Sequence, residues 1–169
     1  TLPIDIIEVG YRSNASEAYL GEFGYCPHYK LEQIRANFQK EIAIMLNEKD
    51  VSPDDLQHLI YPIKNLVDII RIAVDPVNID RAILLTTKIK EMGFKVSLNL
   101  MYMSEWTEYD FFSKKLHFIN EVADVFCMVD SFGSVTPELV KESTCRVKEY
   151  ISIPVGFHAH NNLELALIN

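Results

Sequence analysis

The sequence contains no run of lysines and arginines: its 16 basic residues are scattered and outnumbered by 24 acids, giving a net charge of −8. Phosphate backbones and anionic membrane surfaces are gripped by clustered cations, so neither nucleic acid nor a membrane is an expected partner. No apolar stretch approaches the ~20 residues needed to cross a bilayer, and the first residues lack the charged-then-apolar layout of a secretory signal. The 3 cysteines, Cys26, Cys127 and Cys145, are too few and too dispersed for a disulfide framework or a Cys-x-x-Cys zinc knuckle. They read as reduced thiols, and the expected location is cytoplasmic. Glycine (6) and proline (7) are sparse, which excludes collagenous and disordered classes. A glycine-rich phosphate loop is missing too, since Gly10-Tyr11-Arg12-Ser13 after the first apolar run is not one.

With 49% hydrophobic residues in 169, the chain suffices for one core, or for part of a larger one. β-favouring runs lie at Ile4–Val9, Ile42–Leu46, Val67–Ala73, Val96–Leu100, Val125–Val129 and Val155–His158. Amphipathic helical patterns lie between them: Tyr29–Gln39, Asp54–Leu66 behind a Ser52 cap, and Asp80–Met92 between an Asn78 cap and a Gly93 stop. Phe111–Glu121 and Pro137–Tyr150, the latter behind Thr136, complete the set. Strand and helix alternating about six times predict parallel βα units. Nearly continuous apolar runs such as Val67–Ala73 predict strands covered on both faces. Without a phosphate loop, and with Glu8, Asp75, Asn99, Asp130, Ser131, His158 and His160 gathered at strand ends, a (β/α)8 TIM barrel fits better than an open nucleotide-binding sheet.

The residue pattern that carries most chemistry is Gly156-Phe157-His158-Ala159-His160-Asn161-Asn162. On a strand, positions i and i+2 share a face, so His158 and His160 present two imidazoles side by side. Two neutral imidazoles aimed at one point are part of a divalent-metal site of the Mn, Fe, Co or Zn type.

Three segments together are similar to the metal-dependent aldolase and lyase superfamily. Gly156–Ala166 resembles its seventh-strand motif, Ile7-Glu8-Val9-Gly10 its second strand, and Met128–Pro137 its sixth strand and loop. The His-x-His-Asn-Asn-Leu form resembles the 4-hydroxy-2-oxovalerate aldolase branch. The resemblance implies that residues 1–169 form one partial barrel domain, covering about strands 2 to 7 of eight. An Arg-Asp-Gly motif that ends the family's first strand is absent from this sequence, so the first and eighth strands are expected to lie outside it.

The implied reaction is divalent-metal-dependent cleavage of a 4-hydroxy-2-oxo acid to pyruvate and an aldehyde. The ion, Mn²⁺ or Mg²⁺, would be held by His158 and His160. Glu8 and Asp130 are the expected catalytic side chains. Glu8 would pair with the family's first-strand arginine, and Asp130 would orient a ligating histidine unless it only shapes the turn. Ser131, Asn99, Arg12 and Asn161 are the expected substrate contacts, with Asn161 alternatively capping the next helix. Besides the small 2-oxo acid, the candidate partners are a second copy and an aldehyde dehydrogenase, to which this branch passes its product. A Claisen-type lyase or synthase acting on a CoA thioester is the alternative enzyme, and a catalytically silent metal- or oxo-acid-binding barrel the alternative outside enzymes. His28, His58 and His117 have no partners at ligand spacing and are expected to be solvated.

Overall fold

The computed structural model describes residues 3–14, 20–108 and 112–169. Thr1, Leu2 and Phe111, expected in a leading loop and at a helix start, lie outside them. The six apolar runs all form strands: β1 (Ile6–Tyr11), β2 (Glu41–Asn47), β3 (Ile69–Val74), β4 (Lys95–Leu100), β5 (Val125–Asp130) and β6 (Val155–Ala159). The helices are α1 (Glu22–Tyr25), α2 (His28–Asn37), α3 (Leu56–Leu59), α4 (Ile79–Glu91), α5 (Phe112–Val122) and α6 (Pro137–Lys148). Every strand pairs in parallel with the next in sequence, in the order β1-β2-β3-β4-β5-β6. This is six strands' worth of a (β/α)8 barrel, curled with its helices on the outside. No described helix is long and apolar enough to cross a membrane.

Period-two alternation sorts the sheet residues. Ile42, Ile44 and Leu46 of β2, Ile70, Ile72 and Val74 of β3, Val96, Leu98 and Leu100 of β4, and Phe126 and Met128 of β5 join the helix-facing core. Each such side chain withdrawn from water contributes about 1.5–3 kcal/mol. The intervening residues face the concave side: Glu8, Ala43, Met45, Arg71, Ala73, Ser97, Asn99, Cys127, Val129 and His158, by register. β3 is therefore not apolar on both faces, because Arg71 breaks its inner face. At the rim where the strands begin, Asp68 and Asp124 close the sheet by accepting from the backbone N–H of Ile42 and Val96, each at 2.8 Å.

Helix α4 buries Ile79, Ala82, Leu85, Thr86 and Ile89 along one face and stops before Gly93, at φ +89°. Asn78 sits at its cap position without a side-chain bond; Asp75 instead caps the preceding 3-10 turn by accepting from the Val77 N–H. Thr136 caps α6 as expected. The helix expected over Asp54–Leu66 is only the single turn α3 followed by a 3-10 turn at Tyr61–Ile63. Pro62 lacks an N–H, and its ring would collide with the carbonyl four residues back in a continuous helix. Ser52 does not cap it; its own N–H and hydroxyl donate to Asp55 (2.7 and 2.6 Å).

Candidate active site

The carboxyl ends of the strands surround a cavity of about 350 Å³, lined by Glu8, Tyr11, Met45, Asn99, His158 and His160 among others. β6 brings the two histidines together, with ring centroids 5.0 Å apart and planes at 72°. His160 Nδ1 lies 3.0 Å from the Ser131 carbonyl. A carbonyl can only accept, so Nδ1 is the donor, which leaves Nε2 as the nitrogen that could bind a metal, the arrangement that orients metal-ligating histidines. His158 Nδ1 stands 3.4 Å from Arg71 Nη2. Burial, then the nearby Arg71 and His160, hold His158 below the ordinary histidine range, so it is neutral at pH 7.

Arg71 is the residue the sequence reading missed. Its guanidinium pairs with Glu8, and Arg71 lines a neighbouring cavity on the concave face with Glu8, Ser97 and Cys127. The Asn99 amide, with its oxygen toward the guanidinium, accepts from Arg71 Nε (3.1 Å) and Nη2 (3.2 Å) and donates to Ser97 Oγ at 2.8 Å. One side chain on β3 thus links β1, β4 and β6. The signal was present: a cation inside Ile69-Ile70-Arg71-Ile72-Ala73 must find a partner on its own face, since an unpaired buried charge is costly.

The other expected residues divide. Glu8 faces the cavity and pairs here with Arg71 of β3; the first-strand arginine implied by the resemblance is absent from this sequence. Asn99 and Ser131 line the cavity. Ser131 Oγ accepts from the Tyr102 N–H at 2.9 Å, and Tyr102 itself is held in the left-handed region at φ 57°, a conformation maintained by its surroundings. Asp130 does not orient a histidine. It has the parity of the core residues Phe126 and Met128, is almost fully buried, and accepts from the N–H groups of Ser134 (3.0 Å) and Val135 (3.3 Å). The orienting acceptor is the carbonyl of the next residue, Ser131. Gly133 completes this loop at φ +61°, where an added Cβ would sit 2.7 Å from the Asn162 backbone nitrogen.

Arg12 does not face the cavity: it donates to the carbonyls of Leu59 (2.8 Å) and Cys26 (2.7 Å), pinning two loops. Asn161 caps the turn that follows, accepting from the Ala166 N–H at 3.2 Å. His28 pairs with Glu32, His58 meets Asn14 at 2.9 Å, and His117 stacks on Phe118, so these three keep local roles away from the cavity.

The donor set fits the nitrogen half of a divalent-metal site. Among the described residues no group of three or more His, Cys, Asp or Glu side chains is placed to hold an ion. Burial raises Cys127 above the usual thiol range, which keeps it protonated.

Asp130 yields a prediction. Asp130→Ala strands the N–H groups of Ser134 and Val135, of which Val135 is buried, and is expected to cost about 1–3 kcal/mol by thermal unfolding. Asp130→Asn keeps an acceptor oxygen and is expected to lose under half as much. Equal losses in the two variants would contradict this loop-tying role.

No family model matches the chain. A curated 4-hydroxy-2-oxovalerate aldolase from Salinispora arenicola is 27% identical over 98% of this chain and 48% of its own length. One from Pelotomaculum thermopropionicum is 42% identical over 47% of this chain and 24% of its own length. The resemblance is to the 4-hydroxy-2-oxovalerate aldolase branch of the aldolase superfamily. Among solved structures, the N-terminal domain of a protein described as an aldolase from Bacteroides vulgatus matches with TM-score 0.96 and 57% identity, over 99% of this chain and 56% of that one. The carboxyl transferase domain of Rhizobium etli pyruvate carboxylase matches with TM-score 0.68 and 18% identity over 83% of this chain and 26% of that one, a likeness of fold alone. The chain spans about half, or less, of the length of the curated aldolases it matches.

Proposed function

We propose that this chain is the barrel segment of a divalent-metal-dependent aldolase that cleaves a 4-hydroxy-2-oxo acid to pyruvate and an aldehyde. The observation that carries this reading is the pair of imidazoles, His158 and His160, at the carboxyl end of β6 with the Arg71 guanidinium of β3 beside His158. There Arg71 lies 3.4 Å from His158 and is anchored behind by Glu8. When bound, Mn²⁺ or Mg²⁺ supplies Lewis-acid stabilisation of the negative charge that develops on the ketone oxygen. His158 and His160 would hold it, with the Ser131 carbonyl fixing the tautomer of His160. Arg71 places a fixed positive charge where the 2-oxo acid's carboxylate and the growing enolate gather, and Glu8 and Asn99 stop that guanidinium from swinging away. As the bond between C3 and C4 breaks, its electron pair passes into the enolate and the 4-hydroxyl gives up its proton. Met45, Met101 and Phe132 provide apolar walls that limit water around the charge.

The test is product analysis on the full-length protein with Mn²⁺. Pyruvate release from 4-hydroxy-2-oxo acids, abolished by chelation, is the expected result. Free-thiol release from CoA thioesters without pyruvate would replace the reading with the Claisen-type one. Metal or oxo-acid binding without any turnover would make this a silent barrel.

A further inference from the structure

Beside the histidine cavity, at the ends of β2 and β3, lies a second cavity of about 230 Å³. The two share a wall made by Tyr11, Ala73, Met101 and Tyr102, so a ligand seated at His158 and His160 can extend over that wall. The lining changes character across it. Asn47, Lys49, Asp75 and Asn78 supply amides, an amine and a carboxylate.

These groups retain free capacity. Asn47 donates its amino group to Asp50 at 2.8 Å, which leaves its oxygen available. Asp75 uses Oδ1 on the Val77 N–H at 3.1 Å, which leaves Oδ2. The Asn78 side chain makes no capping bond although it stands at the cap position of α4. Glu48 lines the same cavity and is ion-paired with Arg81 at 3.1 Å, while its buried Oε1 makes no hydrogen bond.

We infer that this second cavity receives the tail of the substrate beyond C4, and that the tail is polyhydroxylated. The inference rests on the aldolase reading and narrows its substrate class. An alkyl tail would strand the amides and the carboxylate without partners, at the cost of their desolvation. A phosphate or carboxylate tail calls for donors alone and would be repelled by Asp75. A hydroxyl both donates and accepts, and so matches a lining that mixes acceptors (Asp75 Oδ2, Asn47 Oδ1) with donors (Lys49, the Asn78 amide). The released aldehyde is then a hydroxyaldehyde rather than a simple alkyl one. The balance of the reaction is unchanged: the C3–C4 bond breaks, C4 becomes the aldehyde carbon, and C3 takes up a proton to give pyruvate.

The experiment compares two probes on the full-length protein: 4-hydroxy-2-oxovalerate, whose tail is a methyl group, and a 3-deoxy-2-oxohexonic acid, whose tail carries hydroxyls. Binding is measured by calorimetry on chelator-treated protein, where no turnover competes, and pyruvate release is measured with Mn²⁺. The hydroxylated acid is expected to bind more tightly and to have the higher kcat/KM. Asn78→Ala is expected to lower both by about tenfold for that acid, the worth of one hydrogen bond, and to leave the methyl-tailed acid unchanged. Asp75→Asn keeps an oxygen for the Val77 cap and serves as the second variant, with the same selective loss. Equal binding of the two acids, or equal losses on both in the variants, would overturn the subsite while pyruvate release upheld the aldolase reading. Tail-dependent binding with no pyruvate from either acid would uphold the subsite and sink the aldolase reading.

Discussion

Stoichiometric Mn²⁺ binding is expected to disappear in His158→Ala and in His160→Ala, with the unfolding midpoint changed little. This is the largest effect expected at the site, because among the described residues His158 and His160 are the two imidazoles that line the cavity. Removing a ligand does more than removing its hydrogen-bond partner, which alone typically costs 10–100-fold in metal affinity. His160 is exposed and His158 only half-buried, so neither belongs to the core, and the change in stability is expected to stay within about 1 kcal/mol. Titration of full-length protein with Mn²⁺, followed by calorimetry or by the paramagnetic signal of the free ion, reads the loss directly and needs no turnover. Undiminished Mn²⁺ stoichiometry in both variants would remove the metal assignment and with it the proposed reaction.

The second large effect concerns the ion pair beneath the histidines. Arg71→Met leaves Glu8 half-buried without its cation, and Glu8→Gln leaves Arg71 held only by Asn99 and the long His158 contact. Each single change is expected to cost about 2 kcal/mol, the scale of a hydrogen bond to a charged group. In a chain of this size each kcal/mol corresponds to a fall of about 2–4 °C in the unfolding midpoint. The double variant Glu8→Gln/Arg71→Met removes both charges together, and a coupling of about 1–2 kcal/mol should bring its stability back toward the wild type. Arg71→Lys separates structure from chemistry: it keeps the charge for Glu8 but loses the planar fork that also reaches Asn99 and His158. It should retain most of the stability and little of the pyruvate release. Strictly additive single losses would show that Glu8 and Arg71 do not act as a pair.

Much of this architecture is legible in the sequence because hydrophobic runs mark strands wherever a parallel sheet is covered by helices. All six runs became strands, with ends displaced by at most two residues. The largest displacement, in β1, has a local cause. Between Glu8 and Tyr11 the register with β2 shifts, and Gly10 adopts φ +145° where an added Cβ would stand 2.2 Å from the Phe23 carbonyl oxygen. A backbone that close belongs to a loop distant in sequence, and no periodicity announces it. The break at Pro62 could have been read from proline chemistry alone.

The site was legible where period two governs it. His158 and His160 share a face by spacing. The same count, applied to Phe126, Met128 and Asp130, places that aspartate on the core side, and applied to Ile69, Arg71 and Ala73 it places the arginine inside. Arg12 is a different case. Its partners, the carbonyls of Leu59 and Cys26, are backbone atoms 47 and 14 residues away, and their approach depends on loop paths that no side-chain pattern encodes.

Because every strand lies beside the one made just before it, the sheet can be assembled in the order of synthesis. Each arriving strand finds its docking edge already present and needs no rearrangement of earlier pairs. Loop-closure costs stay small under such ordering, since each new pairing spans a single crossover. The sequence of arrival also has a chemical result. The strands carrying Glu8 and Arg71 are made, and can match their charges, before the His-x-His strand is made. On such an order the two imidazoles, neighbours by their spacing alone, meet a sheet in which the guanidinium is already paired.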